Sequence, residues 1–298
     1  MGRNLSRRSK ADLKILGVVL LFLFRNKLVA LLALALAGIW YSYEVFYARP
    51  QATFGGVPQE QHWDLNHFTR VFRNNAFMLG YSEWRGSPLW VTYQLTTKPE
   101  NVKNGKRPSG FYVDQRSIRR VRHDDYTGSG YDRGHMAPNY AIATLYGRKA
   151  QIDTFDMTNI TPQKPKLNRK LWQRLESVEI DYLAKWFQSI WVFTGPIYGE
   201  DKKTLKSSKV EIPEAFYKIY IQPKDENGKV HALALIMPQN VYGNESLLKY
   251  VTTVDEVEQR TGLDFFPALE DKIEQQIESQ NEVDYWRLEE VAKLPSRF

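Results

Sequence analysis

A chain of 298 residues that is 43% hydrophobic and carries 8 Trp, 17 Tyr and 15 Phe can bury one large core or two small ones, which excludes disorder along most of its length. Its formal charge of +7 invites a nucleic-acid reading, but in the first 27 residues Arg3, Arg7, Arg8, Lys10, Lys14, Arg25 and Lys27 face only Asp12. The rest of the chain is therefore close to neutral, and bulk charge is no evidence for nucleic-acid binding. The absence of cysteine excludes disulfides, thiolate zinc sites and a cysteine nucleophile.

Residues 13–24 (LKILGVVLLFLF) are apolar but too short to cross a bilayer, and suit a helix lying along the inner leaflet. The run 28–47 (LVALLALALAGIWYSYEVFY) matches a hydrocarbon core of roughly 30 Å at about 1.5 Å per residue. Trp40, Tyr41, Tyr43 and Tyr47 cluster at its far end, where aromatic rings favour the interface. Positive charge ahead of the span predicts a single-pass anchor, with residues 1–27 cytoplasmic and everything after residue 48 outside. The membrane is a bacterial cytoplasmic membrane facing the periplasm or exterior or, alternatively, a mitochondrial inner membrane. Two readings compete: a cleaved signal sequence, because Ala35-Leu36-Ala37 resembles a cleavage site, and a buried soluble helix.

Residues 48–61, rich in Pro, Gly and Gln, predict a linker. The folded domain is expected over 62–280, and 281–298, with Trp286, forms a docked tail or a frayed end. Asn74-Asn75 suggest a turn, and alternation with β-branched and aromatic residues predicts a strand over 89–97. Residues 98–110 read as loop, 111–113 as a short strand, 140–152 as helix and 154–160 as strand. Leu171, Leu175, Val178, Tyr182 and Trp186 recur every three or four residues, which predicts an amphipathic helix over 169–187. Strands are expected at 189–194, ending in Gly195-Pro196, and at 215–222 and 230–237. Helices follow at 253–261, stopped by Gly262, and at 267–280. With no βαβ rhythm, the pattern predicts a mixed α+β domain.

The chemistry concentrates in Tyr131-Asp132-Arg133-Gly134-His135-Met136-Ala137-Pro138-Asn139. A guanidinium grips a phosphate oxygen through its fork of donors, an imidazole titrating near neutrality takes a proton from water, and the glycine between them permits close backbone approach. A second stretch follows: Thr158-Asn159-Ile160-Thr161-Pro162-Gln163, then Leu167-Asn168, Trp172 and Glu176. Taken singly, these residues have plainer readings. Asn168 precedes an amphipathic helix and suits its N-cap, Glu176 suits a solvated helix face, and His135 suits a structural role.

In this order and spacing, the two stretches resemble the DNA/RNA non-specific endonucleases, a ββα-metal nuclease family. The likeness extends from Gly55 through Trp90-Val91-Thr92-Tyr93 and Phe193-Thr194-Gly195-Pro196 to Gly262-Leu263-Asp264-Phe265-Phe266. It implies an α+β fold whose mixed central sheet carries a ββα-metal motif, preceded here by one N-terminal transmembrane helix. It further implies a divalent-metal-dependent endonuclease that hydrolyses DNA and RNA with little sequence preference, leaving 5′-phosphate and 3′-hydroxyl ends.

Residue by residue, His135 matches the family's general base and Asn168 its direct ligand for a divalent ion, usually Mg2+, with Mn2+ as substitute. Glu176 matches the carboxylate that holds waters around that ion, Arg133 the arginine beside the scissile phosphate, and Asn159 an asparagine that supports the site. Either Arg107 or Arg116 matches the upstream arginine, and Ile180 stands where some members carry a basic residue. Asn168 and Glu176 are about 12 Å apart by helix rise, which favours a water between Glu176 and the ion. Lys164, Lys166, Arg169, Lys170 and Arg174 surround the expected metal helix and are expected to steer substrate. Arg116, Arg119, Arg120 and Arg122 read equally as a phosphate track or a solvated face, and His62, His67, His123 and His231 as structural. The implied partners are the DNA and RNA backbone and the bilayer through 28–47, with a homodimer left open. A same-fold metal phosphodiesterase with another substrate and a catalytically silent anchored binding module are the competing classes.

Overall fold

The computed structural model describes residues 25–62, 64–102, 105–207 and 210–296, and the chain divides into two units between Ala48 and Arg49. In the first, helix α1 (Lys27–Tyr43) belongs to one helical run, Lys27–Gln51, of 25 residues and hydropathy 1.7, long and apolar enough to cross a membrane. Leu28, Leu31, Leu34, Ile39 and Trp40 all face outward from it. The short apolar segment 13–24 lies outside the described residues.

In chain order, the second unit contains β1 (Gln59–Glu60), β2 (Arg70–Arg73), β3 (Phe77–Ser82), β4 (Ser87–Thr96), β5 (Asp132–His135), α2 (Asn139–Asp153), β6 (Ile160–Gln163) and α3 (residues 167–187). It continues with β7 (Ser189–Ile197), β8 (Ala215–Gln222), β9 (His231–Pro238), β10 (Val251–Thr252), α4 (Val254–Thr261), β11 (Leu263–Asp264), α5 (Asp271–Glu278) and α6 (Leu288–Val291). Seven strands form the main sheet in the order β10–β9–β8–β7–β4–β3–β2. The α+β class holds, and where a mixed sheet was expected every ladder of this sheet is antiparallel.

Strand side chains alternate between faces, and both faces are covered. On one, Leu79, Tyr81, Val91, Tyr93, Phe216 and Tyr220 meet Leu171, Trp172, Leu175 and Val178 of α3. On the other, Met78, Trp90, Phe193, Tyr217 and Ile219 meet Val254, Val257, Phe265, Phe266 and Ile277. This double coverage explains why the central strands read as nearly continuous apolar runs. The helix predicted at 253–261 is α4: Thr253 Oγ1 accepts from Glu256 N at its start, and Gly262, at φ 69°, takes the left-handed conformation that ends it.

Several boundaries differ from expectation. Residues 154–160 form a turn and a 3₁₀ segment (Met157–Asn159), and extended structure begins only at Ile160. The reason is the Asn159 side chain, which draws the chain back to Ala137 and Thr154. β7 does not end at Gly195-Pro196. Its ladder with β4 stops at Val91↔Thr194, so the missing N–H of Pro196 costs no bond there, while β8 still pairs through Pro196↔Phe216. At 111–113 only a single bridge, Tyr112↔Asp156, forms, and at 267–280 only Asp271–Glu278 is helical.

The domain also extends at both ends. Residues 52–60 are packed: Ala268 N donates to Gly55 O at 2.8 Å, Phe54 meets the Phe266 ring at 6.1 Å, and β1 pairs with β11. Of the two readings for 281–298, docking is what occurs. Trp286 is fully buried, its ring 4.7 Å from that of Phe187.

Candidate active site

β5 and β6 form a separate antiparallel pair in which Arg133 faces Pro162, Gly134 faces Thr161 and His135 faces Ile160. The glycine is there for space: a Cβ on Gly134 would meet the Gln163 side chain at 2.1 Å. β6 leads directly into α3, so the two motif stretches meet in a strand–strand–helix unit. Asn159 is fully buried beneath it. Its Oδ1 accepts from Ala137 N at 2.8 Å, and its Nδ2 donates to Ala137 O at 3.0 Å and Thr154 O at 2.9 Å. With its amide spent on backbone, Asn159 positions the segment after His135 and touches nothing outside the protein.

The His135 ring lies 5.3 Å from the Phe111 ring and 4.9 Å from the Phe155 ring, and its Nε2 is buried with no hydrogen-bond partner among the described residues. Burial against these rings, reinforced by the Arg107 guanidinium, pushes its pKa down to about 3. The imidazole is thus held neutral throughout the neutral range.

Asn168 lies inside α3: its N–H bonds Lys164 O at 2.9 Å, and no side-chain cap forms at the helix start. The capping role is therefore excluded. Its Nδ2 donates to Asp132 Oδ2 at 3.1 Å, and Arg169 clamps the same carboxylate through Nε at 2.8 Å and Nη2 at 2.6 Å. Because the amide nitrogen is held by Asp132, the carbonyl oxygen is the end turned away and available to a hard cation. α3 contains a π-turn at Leu167–Trp172, which acts as a one-residue insertion. Asn168 and Glu176 therefore relate as residues seven apart do in a regular α-helix, on one face, and the Glu176 side chain leans back toward the helix N-terminus. Burial, with Glu179 nearby, pushes Glu176 up to about 7 against the pull of Lys218 and Arg107. A neutral carbonyl oxygen and a half-buried carboxylate on one helix face fit a divalent ion that keeps most of its waters.

The arginines separate by partner. Arg107 is exposed, lies over the Phe155 ring at 5.1 Å, and acts electrostatically on both His135 and Glu176. Arg116 is held elsewhere: Nε and Nη2 grip Asp114 at 3.0 and 2.7 Å, Nη2 also bonds Asn74 Oδ1 at 2.8 Å, and the guanidinium covers the Phe72 ring at 4.8 Å. Arg133 donates to His123 O at 3.1 and 2.7 Å and to Thr127 Oγ1 at 3.1 Å, at the edge of a groove of about 470 Å³ also lined by Asp132 and Arg169. Lys164 bonds Asn240, and Lys166 lies over the exposed Tyr242 ring at 5.6 Å. The expectation for Arg174 fails. It is 3% exposed and its Nη1 and Nη2 donate to the carbonyls of Leu294 and Glu245, so it holds the tail and is too buried to steer a substrate.

Sequence reasoning gave no role to Asp132, which orients Asn168, or to Phe111 and Phe155, which desolvate His135. It also missed a fully buried network under α3, where Glu179 pairs with Lys218 and accepts from Tyr93 and Tyr220 at 2.9 Å each. The signal for it was one lysine inside the otherwise apolar strand β8.

A family model described as DNA/RNA non-specific endonuclease matches residues 64–272. Among curated relatives, mitochondrial endonuclease G of Bos taurus is 30% identical over 239 residues, covering 74% of this chain and 78% of that one. A nuclease of Nostoc sp. is 32% identical over 220 residues, covering 69% and 76%. Among solved structures, a crystal structure of the EndoG/EndoGI complex matches with a TM-score of 0.63 at 26% identity, covering 74% of this chain and 92% of that one.

Proposed function

The chain belongs to the DNA/RNA non-specific endonuclease family, a family of divalent-metal-dependent nucleases, and on that premise we propose a membrane-anchored enzyme that cuts both DNA and RNA to 5′-phosphate ends. The observation that carries the proposal is the bond from Asn168 to Asp132, which ties the metal-ligand candidate on α3 to the strand that presents His135. In this reading His135 takes the proton from the attacking water, a task for which its depressed pKa keeps it unprotonated. Asn168, through its carbonyl oxygen, and Glu176, through water, would hold the ion, with Mg2+ the natural occupant and Mn2+ a substitute. When bound, that ion supplies charge neutralisation at the phosphate and an acidified water for the leaving oxygen. Arg107 and Arg133 grip the phosphate, and Asn159 holds the segment that follows His135. Lys164 and Lys166 add attraction without base information, consistent with cutting that ignores sequence.

The apolar helix supports anchoring through residues 28–47, and the basic residues ahead of it support an N-terminus inside and a catalytic domain outside. That topology separates the nuclease from the host's own nucleic acid. The test is cleavage of a plasmid and of an RNA by the full-length protein in detergent. Both are expected to be cut with Mg2+ and spared with chelator. Substrates left intact with either Mg2+ or Mn2+ would reject the nuclease reading in favour of another phosphodiester substrate. A reporter fused to Phe298 and found in the cytoplasm would reject the topology.

A further inference from the structure

On the sheet face opposite α3, α4 and α5 pack through Val254, Val257 and Ile277. Above that contact, Asp255 and Glu258 of α4 converge with Glu278, the last residue of α5. One carboxylate oxygen from each lies within 4.8 Å of the other two. Asp255 is exposed and Glu258 half-buried, so acidity alone would mark only a solvated patch. Glu278 is different. It is 8% exposed, and its Oε1 is buried with no hydrogen-bond partner among the described residues. The charges acting on it are all negative: Glu258, Glu274, Asp255 and Asp264. Among the described residues, no lysine or arginine pairs with any of the three.

A buried carboxylate aimed into two others needs either a proton or a cation. The donor set is oxygen only, as hard divalent ions prefer. Oxygens this close together can reach one ion, and three direct carboxylates suit calcium, whereas magnesium usually keeps its waters and takes one or two carboxylates. Glu258 is already oriented, since its Oε1 accepts from Phe265 N at 2.6 Å. We propose that Asp255, Glu258 and Glu278 form a second divalent-cation site, structural and of the calcium type, that ties α4 to the end of α5. It lies across the sheet from Asn168 and is independent of the reaction.

Thermal unfolding of the full-length, chelator-stripped protein tests this without reading activity. Ca2+ is expected to raise Tm by several degrees, on the order of 5 °C at a hundredfold excess over Kd, and more than Mg2+ does. The rise should survive Asn168→Ala and be lost in Glu278→Gln and in Asp255→Asn. The second variant is at an exposed position and guards against a folding defect in the first. No shift with Ca2+, Mg2+ or Mn2+ would overturn the proposal. So would a shift lost in Asn168→Ala and kept in Glu278→Gln, which would place the ion at the catalytic centre.

Discussion

Replacing Asn159 by alanine removes three hydrogen bonds at once and tests how the site is held. The amide bridges Ala137, two residues after His135, to Thr154 at the end of α2, with distances of 2.8, 3.0 and 2.9 Å. Ala137 and Thr154 are both fully buried, so the variant strands one N–H and two carbonyls away from water. Each unsatisfied group costs about 1–3 kcal/mol, so if one carbonyl relaxes toward another donor the total is about 2–6 kcal/mol. That is a large share of the roughly 5–15 kcal/mol that holds a typical domain. Denaturant unfolding should show the full loss, and turnover measured well below the new midpoint should fall with little change in KM. Asn159→Asp keeps the acceptor but turns an oxygen toward two carbonyls, so it should do no better. A change under about 1 kcal/mol with wild-type turnover would show that Asn159 does not hold the segment after His135.

Arg107→Ala should lower kcat/KM by roughly 10- to 100-fold, the value of one charge-assisted phosphate contact, with little effect on Tm. Arg116→Ala should do the reverse, because its partners are Asp114 and Asn74, and equal losses of kcat/KM in both would contradict the assignment. Because the folded His135 pKa is pushed down to about 3, protonation of the base is complete only below that pH. The acid limb of kcat/KM due to His135 should therefore lie far below the ordinary histidine range. In Arg107→Ala, loss of the positive charge should move it upward, and a limb near the ordinary value in both proteins would contradict a desolvated base. Lys218→Met leaves Glu179 buried without its counter-charge and should cost about 3–5 kcal/mol in unfolding experiments, most of it recovered by adding Glu179→Gln.

Local signals carried most of the framework. β8 begins and ends where the apolar run 215–222 does, and α4 starts at Thr253 and stops at Gly262 because capping chemistry is written in adjacent residues. The two stretches of the candidate site were legible because two strings at fixed spacing matched a family pattern. What was not legible depends on distant partners. Nothing near Arg174 in the chain says that its guanidinium reaches Leu294, or that Arg116 is held by Asn74 while Arg107 is left facing the site. The π-turn at Leu167–Trp172 was equally hidden, since a periodicity argument assumes one helical repeat. It is the feature that brings Asn168 and Glu176 onto one face of α3. Trp286 shows the same limit, because a lone aromatic in a polar stretch does not say whether a core accepts it.

If His135 is the base of a metal-dependent nuclease, cleavage by His135→Ala beside wild type is the decisive comparison. With Mg2+ present, the variant should cut plasmid DNA and RNA about 10²- to 10⁴-fold more slowly while keeping its fold and its nucleic-acid affinity, and added imidazole should restore part of the rate. Undiminished cleavage by a folded His135→Ala protein would contradict the account.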